Sequence, residues 1–431
     1  MRQLLVYCSL CLLGLWGHDR SWAQSPGLPF TRVAELRTVT YHSPTSSPQM
    51  AGMLPCIPLH EEGALRISFD LLGGERSILA CKLIHCNADW QPSSLSPMEA
   101  MESSLEGELL LPRSSTSTRQ PFQHYELELS QSSIRFRYSG NYLLHIYDPI
   151  SAEDAPLLSL PILVSEQRGG ARLSVSPYSR LGEPSRTQQF VSCDLSASAL
   201  GIGQEDQELR IVVLQNGRWE SRQSYPTIRA SLIDEQQAYH REQVLAFEGG
   251  AEYYRLEHTD DLETTVGVVA HTKDEGLYHL QASTRYLKAS APYVYDADLD
   301  GREIIHSTSE EQTALRIGYH EVHFELMAES PLQGQVVLEG RAFDHLPWSS
   351  RTFAYDPVRH SYRLSLLLKA GYQEYQMSLL DTKMGIASAI PIMGNHSETT
   401  NTYSALVYLR DPQTQTDRLI DLVELRYIPI R

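Results

Sequence analysis

Four small groups of residues in this sequence are of types that do chemistry. The first is Cys81-x-x-x-His85-Cys86 with Asp89 close behind. Two thiols, an imidazole and a carboxylate could hold a metal or form a Cys/His pair. On a strand, however, Cys81 and His85 share one face and Cys86 takes the other, so core packing or a disulfide explains the group better. The second is Asp296-Ala297-Asp298-Leu299-Asp300-Gly301. Carboxylates at alternate positions followed by a glycine open a calcium loop. Its twelfth position would be Ser307 rather than a bidentate Glu, and a tight Asp-Gly turn explains the same residues. The third is His320-Glu321-x-His323, whose two histidines face opposite sides of a strand and cannot share a zinc. The fourth is the pair Asp260/Asp261, which reads as solvated surface in a chain with 53 carboxylates. G-x-S-x-G, H-E-x-x-H and a phosphate-cradling glycine loop are all absent from the sequence. No catalytic, cofactor-binding or metal-binding residue is assigned, and a hydrolase on a β scaffold, lacking any motif, is the weakest of the functional readings.

Two tryptophans carry more information. Trp90 follows His85-Cys86-Asn87-Ala88-Asp89, and Trp219 follows Leu214-Gln215-Asn216-Gly217-Arg218. Each stands beside a turn at the end of a strand-like run. One reading has each Trp capping a core. The other makes Asp89, Trp90, Asn216, Arg218 and Trp219 partner-binding candidates, since Trp and Arg dominate interface energetics.

The elements that must position these residues read as strands. Leu65, Ile67 and Phe69 alternate with polar neighbours, as do Tyr125, Leu127 and Leu129, and Val322, Phe324 and Leu326. That is the period of a half-buried strand. Helical patterns are few, with 234–245 as one short helix or a charged hairpin. A Gly-then-Tyr entry into a strand recurs at Gly140-Asn141-Tyr142, Gly276-Leu277-Tyr278 and Gly371-Tyr372, resembling the tyrosine corner of immunoglobulin-like sandwiches. The fold class expected is all-β, with three immunoglobulin-like or early-set β-sandwich domains in tandem. Turn-rich stretches at Glu166–Gly170 and His306–Glu311 divide them into residues 24–166, 167–308 and 309–431. The last, with Trp348 and Asp356 ahead of a strand, looks like the early-set modules appended to glycan-active enzymes. Residues 384–404 read as a polar loop.

Arg2, an apolar run from Leu4 to Gly17 and Ser21-Trp22-Ala23 read as a signal peptide, 1–23, cleaved after Ala23. No later apolar run is long enough to span a bilayer, so no transmembrane segment is expected. Lys and Arg total 36 against 53 Asp and Glu, a net charge of −17, which disfavours a nucleic-acid partner. Cys56, Cys81, Cys86 and Cys193 would remain after cleavage. Two disulfides, or one with two buried thiols, is the expectation in an exported compartment, and the sequence does not choose the pairing.

Leu83-Ile84-His85-Cys86-Asn87-Ala88-Asp89-Trp90-Gln91-Pro92 resembles the signature of the type IX secretion system plug proteins of the Bacteroidetes. Ser139-Gly140-Asn141-Tyr142-Leu143-Leu144, Val213 to Trp219, and Tyr293-Val294-Tyr295-Asp296 followed by Leu299-Asp300-Gly301 match further landmarks. The family usually has Asp where Asn87 stands, which argues further against a metal or acid role at that turn. The resemblance implies a periplasmic protein without catalysis, peripherally attached to the outer membrane through its partner. That partner would be the wide outer-membrane β-barrel translocon, closed from the periplasmic side when no substrate is present. The plug would be a monomer when free. A compact chain of this size, about 55 Å across, suits only a very wide pore. A glycan-binding protein of the cell envelope is the alternative, motivated by the early-set look of the C-terminal region and by Trp348.

Overall fold

The computed structural model describes residues 30–31, 34–43, 53–73, 77–151, 156–179, 181–202, 207–230, 244–306 and 314–429. The expected signal peptide, nearly all of 234–245 and the turn at 307–311 lie outside the described residues. Within them the chain is mostly strand, and its described α-helices are single turns.

The alternating segments become strands with their apolar residues inward. Ala64–Leu72 buries Leu65, Ile67 and Phe69, and Tyr319–Met327 buries Val322, Phe324 and Leu326. The N-terminal pair of sheets lies wholly within residues 30–165. One sheet runs Phe30–Thr31, Leu158–Ser165, Gly140–Tyr147, Leu79–Cys86, Glu108–Leu110, with Cys56–Pro58 beside Leu158–Ser165. The other runs Leu36–His42, Ala64–Leu72, Phe122–Ser130, Arg113–Ser114. Ile67, Phe69 and Tyr125 from one meet Leu83, Tyr142 and Ile162 from the other in a shared core.

The middle pair is discontinuous in sequence. One sheet is Ala171–Ser176, Gln188–Leu195, Leu245–Glu248. In the other, Arg218–Ser224 and Glu208–Gln215 are followed by Asn401–Arg410 and Asp417–Tyr427. Leu209 stands opposite Leu409, and Gln215 opposite Tyr403. The chain between, from Tyr254 to Ser388, forms a third pair of sheets centred on Gly371–Asp381 and on Tyr319–Met327. Its core joins Leu256, Tyr375 and Met377 to Leu280, Val322 and Phe324.

The sheets therefore do not follow the boundary expected at 308/309. Strands from both sides of it pair in three sheets, and the third pair is inserted into the middle one rather than placed after it. Residues 384–404 are likewise no simple loop. They hold Ile386–Ser388, a helical turn at Ile390–Met393 and the start of Asn401–Arg410, which is buried along nearly its whole length. That strand reads as a continuous apolar run because both its faces are covered. Ala405 and Val407 enter the middle core, while Leu406 and Tyr408 face the N-terminal sheets.

Four sheets are consequently stacked. Tyr142, Leu144 and Ile162 point to the N-terminal core, and Leu143 and Leu163 point the other way, against Val212, Leu214 and Leu419 of the middle pair. Of the three Gly-Tyr entries, only Tyr142 makes the corner bond, its hydroxyl donating to the Tyr138 carbonyl at 2.7 Å. Tyr278 instead lies under the Lys273 ammonium, and the Tyr372 hydroxyl donates to Glu374.

The disulfide expectation is corrected: Cys56, Cys81, Cys86 and Cys193 are all free thiols. Cys81 and Cys86 do face opposite sides, one in the N-terminal core and the other in the seam between sheet pairs, and Cys193 lies in the middle core. Cys56 packs against the same seam as Cys86, but the strands Leu158–Ser165 and Gly140–Tyr147 stand between Cys56–Pro58 and Leu79–Cys86, so these two thiols are held apart as well.

Candidate functional site

The two sequence motifs singled out above meet at the seam. Leu79–Cys86 ends in a turn where the Trp90 N–H donates to the Asn87 carbonyl at 2.9 Å and Trp90 takes φ 65°. Glu208–Gln215 and Arg218–Ser224 are joined by Asn216-Gly217, with φ 54° and 66°. That is the pairing a two-residue hairpin demands, because both central residues need left-handed backbone. A Cβ at Gly217 would also lie 2.9 Å from the Met53 carbonyl oxygen, so the turn is pressed against the N-terminal sheets.

These turns aim both indoles inward. Trp90 is 3% exposed and Trp219 5%, and their rings pack together with Leu54, Leu143, Leu214 and Tyr408. Core capping is thus the role they play here, and neither presents a free aromatic face. Asn216 is spent on its neighbour strand: its amide donates to Asn401 Oδ1 at 2.8 Å and its carbonyl oxygen accepts the Thr402 N–H at 2.9 Å. The Arg218 guanidinium reaches Glu339 of the inserted pair at 2.5 Å. Asp89 stands apart, exposed on the rim of a polar surface cleft of about 520 Å³ that it shares with Asn87, Arg210, Arg410 and Asp417. Asn87 works as a clamp: its side-chain oxygen accepts from the Asp417 N–H at 3.2 Å and from Arg410 at 3.3 Å. An Asp would accept the same bonds, so the departure from the family pattern leaves this joint intact.

A second joint ties the N-terminal and inserted pairs. Asp70, 1% exposed, accepts from His124 Nδ1 at 2.7 Å, the Tyr319 hydroxyl at 2.7 Å and the Lys369 ammonium at 2.6 Å. A buried carboxylate holding a buried ammonium needs such additional bonds to offset desolvation.

The aspartates of 296–300 do not converge on an ion. Asp296 turns outward to Arg255 at 2.6 Å, whereas Asp298 and Asp300 are buried. Asp298 accepts the Tyr253 N–H at 2.6 Å, and Asp300 accepts the Thr402 hydroxyl at 2.6 Å. Glu374 accepts the Leu299 and Gly301 N–H groups at 2.7 and 2.8 Å. Burial, with Asp300, Glu374 and Glu252 nearby, pushes the Asp298 carboxyl up to about 9. Burial raises Glu252, Asp300 and Glu374 as well. These crowded, buried carboxylates accept backbone and hydroxyl hydrogen bonds and form a structural knot between inserted and middle pairs.

His85, Asp260, Asp261 and Trp348 are absorbed by the fold as well. His85 is buried between Ser93 Oγ at 2.7 Å and the Ser139 carbonyl at 3.3 Å, and burial pushes it down to about 4. Asp260 accepts the Gly318 N–H, and Asp261 caps Thr259 and Glu263. The ring of Trp348 is covered by the Arg351 guanidinium at 3.8 Å, leaving that face closed to a sugar.

Fold and joints together define an all-β, multi-sheet scaffold whose chemically suggestive residues hold sheets to one another. Residues 36–166 match the family model described as type 9 secretion system plug protein, first domain. The crystal structure of a hypothetical protein from Parabacteroides merdae is similar throughout, with a TM-score of 0.81 and 26% identity over 94% of this chain and 100% of that one. No curated protein matches. Among the described residues no helix is long and apolar enough to cross a membrane.

Proposed function

We propose that this protein is a periplasmic plug that binds the outer-membrane type IX translocon and closes its channel from the periplasmic side when no substrate is present. The match of residues 36–166 to the plug family carries the reading. The interlocked sheets support it physically. A plug works by occupying space, so it must resist deformation, and four stacked sheets with an apolar seam, tied to the inserted pair by buried charged joints, are stiff. Each sheet pair is read as an immunoglobulin-like sandwich, with the chain exported by its leader and monomeric when free.

Docking falls to exposed groups. Asp89 contacts the translocon directly at the rim of the polar cleft, while Trp90, Asn216, Arg218 and Trp219 act indirectly by holding that rim in place. A polar, moderate interface suits a plug that must leave when cargo or a carrier arrives. No catalysis, cofactor or nucleic acid enters this reading. Trp348, with its face covered, gives the glycan-binding alternative no support.

Two measurements test the proposal. The protein used as bait should retain the translocon barrel from solubilised outer membranes, and its deletion should make the outer membrane permeable to large solutes. Failure to retain the barrel, with unchanged permeability, overturns it.

A further inference from the structure

Leu277–Ala282 and Tyr319–Met327 lie side by side in parallel, with His279 opposite Glu321 and Gln281 opposite His323. Residues two apart on a strand share a face. His279, Glu321 and His323 therefore project from the same face of this sheet, opposite to Leu280, Val322 and Phe324 in the core. His320, the other histidine of the H-E-x-H run, is buried on the core side. His279 takes its place from the neighbouring strand, and the sequence spacing gave no sign of it.

One ligand atom from each of the three side chains lies within 4.8 Å of the other two, and all three are half-buried. His279 Nδ1 is 2.7 Å from Glu321 Oε2, and the two imidazole planes are within 6° of parallel. His323 Nδ1 is 2.7 Å from Ser365 Oγ on the next strand, the kind of outer bond that orients a ligand imidazole. A shallow pocket of about 420 Å³, bordered by Thr272, Asp274 and Gln281, opens beside the two histidines. The neighbouring Arg363 guanidinium is directed to Glu325 at 3.9 Å.

We propose that His279, Glu321 and His323 form a surface site for one divalent transition-metal ion of the zinc class. Two imidazoles and one carboxylate match that class in softness, whereas calcium and magnesium prefer all-oxygen sets. Metal–ligand bonds of about 2.0–2.2 Å require the ligand atoms to draw closer than they now stand. Half-exposed side chains make that adjustment by rotamer change, with no shift of the strands. Three protein ligands leave a fourth position open toward the pocket, for water or for a donor from another molecule. The site is independent of the plug reading.

The test uses full-length mature protein without a histidine tag, in a buffer that does not chelate. Zinc is titrated by calorimetry, and cobalt by visible absorbance as a probe of ligand field. The expected result is one ion per chain with micromolar affinity and a cobalt spectrum of low coordination number. His279→Ala and His323→Ala should each weaken binding by about tenfold or more. His60→Ala, at an exposed position elsewhere, should not. His279→Gln and His323→Gln repeat the test with side chains closer in size, and circular dichroism confirms that each variant is folded. Absence of binding at millimolar zinc, or equal affinity in the wild type and both histidine variants, overturns the proposal.

Discussion

The indoles of Trp90 and Trp219 meet edge to face, with centroids 4.8 Å apart and planes at 89°. Trp90 comes from a turn of the N-terminal pair and Trp219 from the start of the strand Arg218–Ser224 in the middle pair, and their contact lies in the seam that joins the two pairs into one stack. Edge-to-face pairs add to the area that each ring buries.

Trp90→Ala and Trp219→Ala should each destabilise the protein by about 3–5 kcal/mol, because each leaves a large cavity in a dry layer. The double variant should cost less than the sum, since the second ring has already lost its partner. Urea unfolding followed by circular dichroism measures all three, and full additivity would refute the coupling.

Loss of one partner in a buried ion pair is worse than loss of both. Arg218→Met should cost about 3–5 kcal/mol by leaving Glu339 buried and alone, and Arg218→Met with Glu339→Leu should recover most of that. The same logic applies to Asp70→Ala, which strands Lys369 between the N-terminal and inserted sheets. Limited proteolysis should then reveal separation of these two units before global unfolding.

Stability should peak near pH 6–7. Burial holds His258 and His345 down to about 3 and His85 and His320 to about 4. These rings stay neutral in the folded chain while the unfolded chain takes up protons below about 6.5, so stability falls as the pH drops from there. Asp298 is pushed up to about 9 and Glu303 to about 8 by burial. Their contribution is complete below the unfolded carboxylate range and is lost as pH rises toward those values. Asp298→Asn should flatten the alkaline limb of a melting-temperature profile and steepen the rise between about pH 4 and the peak, because Asp298 opposes that rise in the parent chain.

The four thiols should be silent in the native protein. Burial pushes each of them up to about 12, so little thiolate exists at neutral pH. Ellman's reagent should find none reacting promptly in buffer and all four in guanidinium. Fewer than four in guanidinium without reductant would show that a bridge had formed.

Period-two patterning made strands such as Ala64–Leu72, Phe122–Ser130 and Tyr319–Met327 legible, because each has one covered face and one wetter one. Tyr142 was legible as a corner for the same local reason. Pairing between distant strands was not. Nothing in Glu208–Gln215 specifies Asn401–Arg410 as its neighbour, and the run at 401–410 lacks alternation because both faces are covered. The two Trp motifs were visible as special, but their meeting depends on how whole sheets stack. His279 escaped notice because its partners lie on another strand, brought beside it by a parallel register.

The excursion of the chain out of the middle sheets has a doorway. A Cβ on Gly249 would lie 2.0 Å from the His396 carbonyl oxygen, and the His396 N–H donates to Gly250 at 2.9 Å. The outgoing and returning chains thus touch where the third pair of sheets leaves and rejoins the middle one. A polypeptide emerging amino-end first cannot seat its innermost ribbon, 401–410, until almost all of it has been delivered. Such contacts between distant residues make for slow assembly, because the middle pair is complete only once 401–410 is in place.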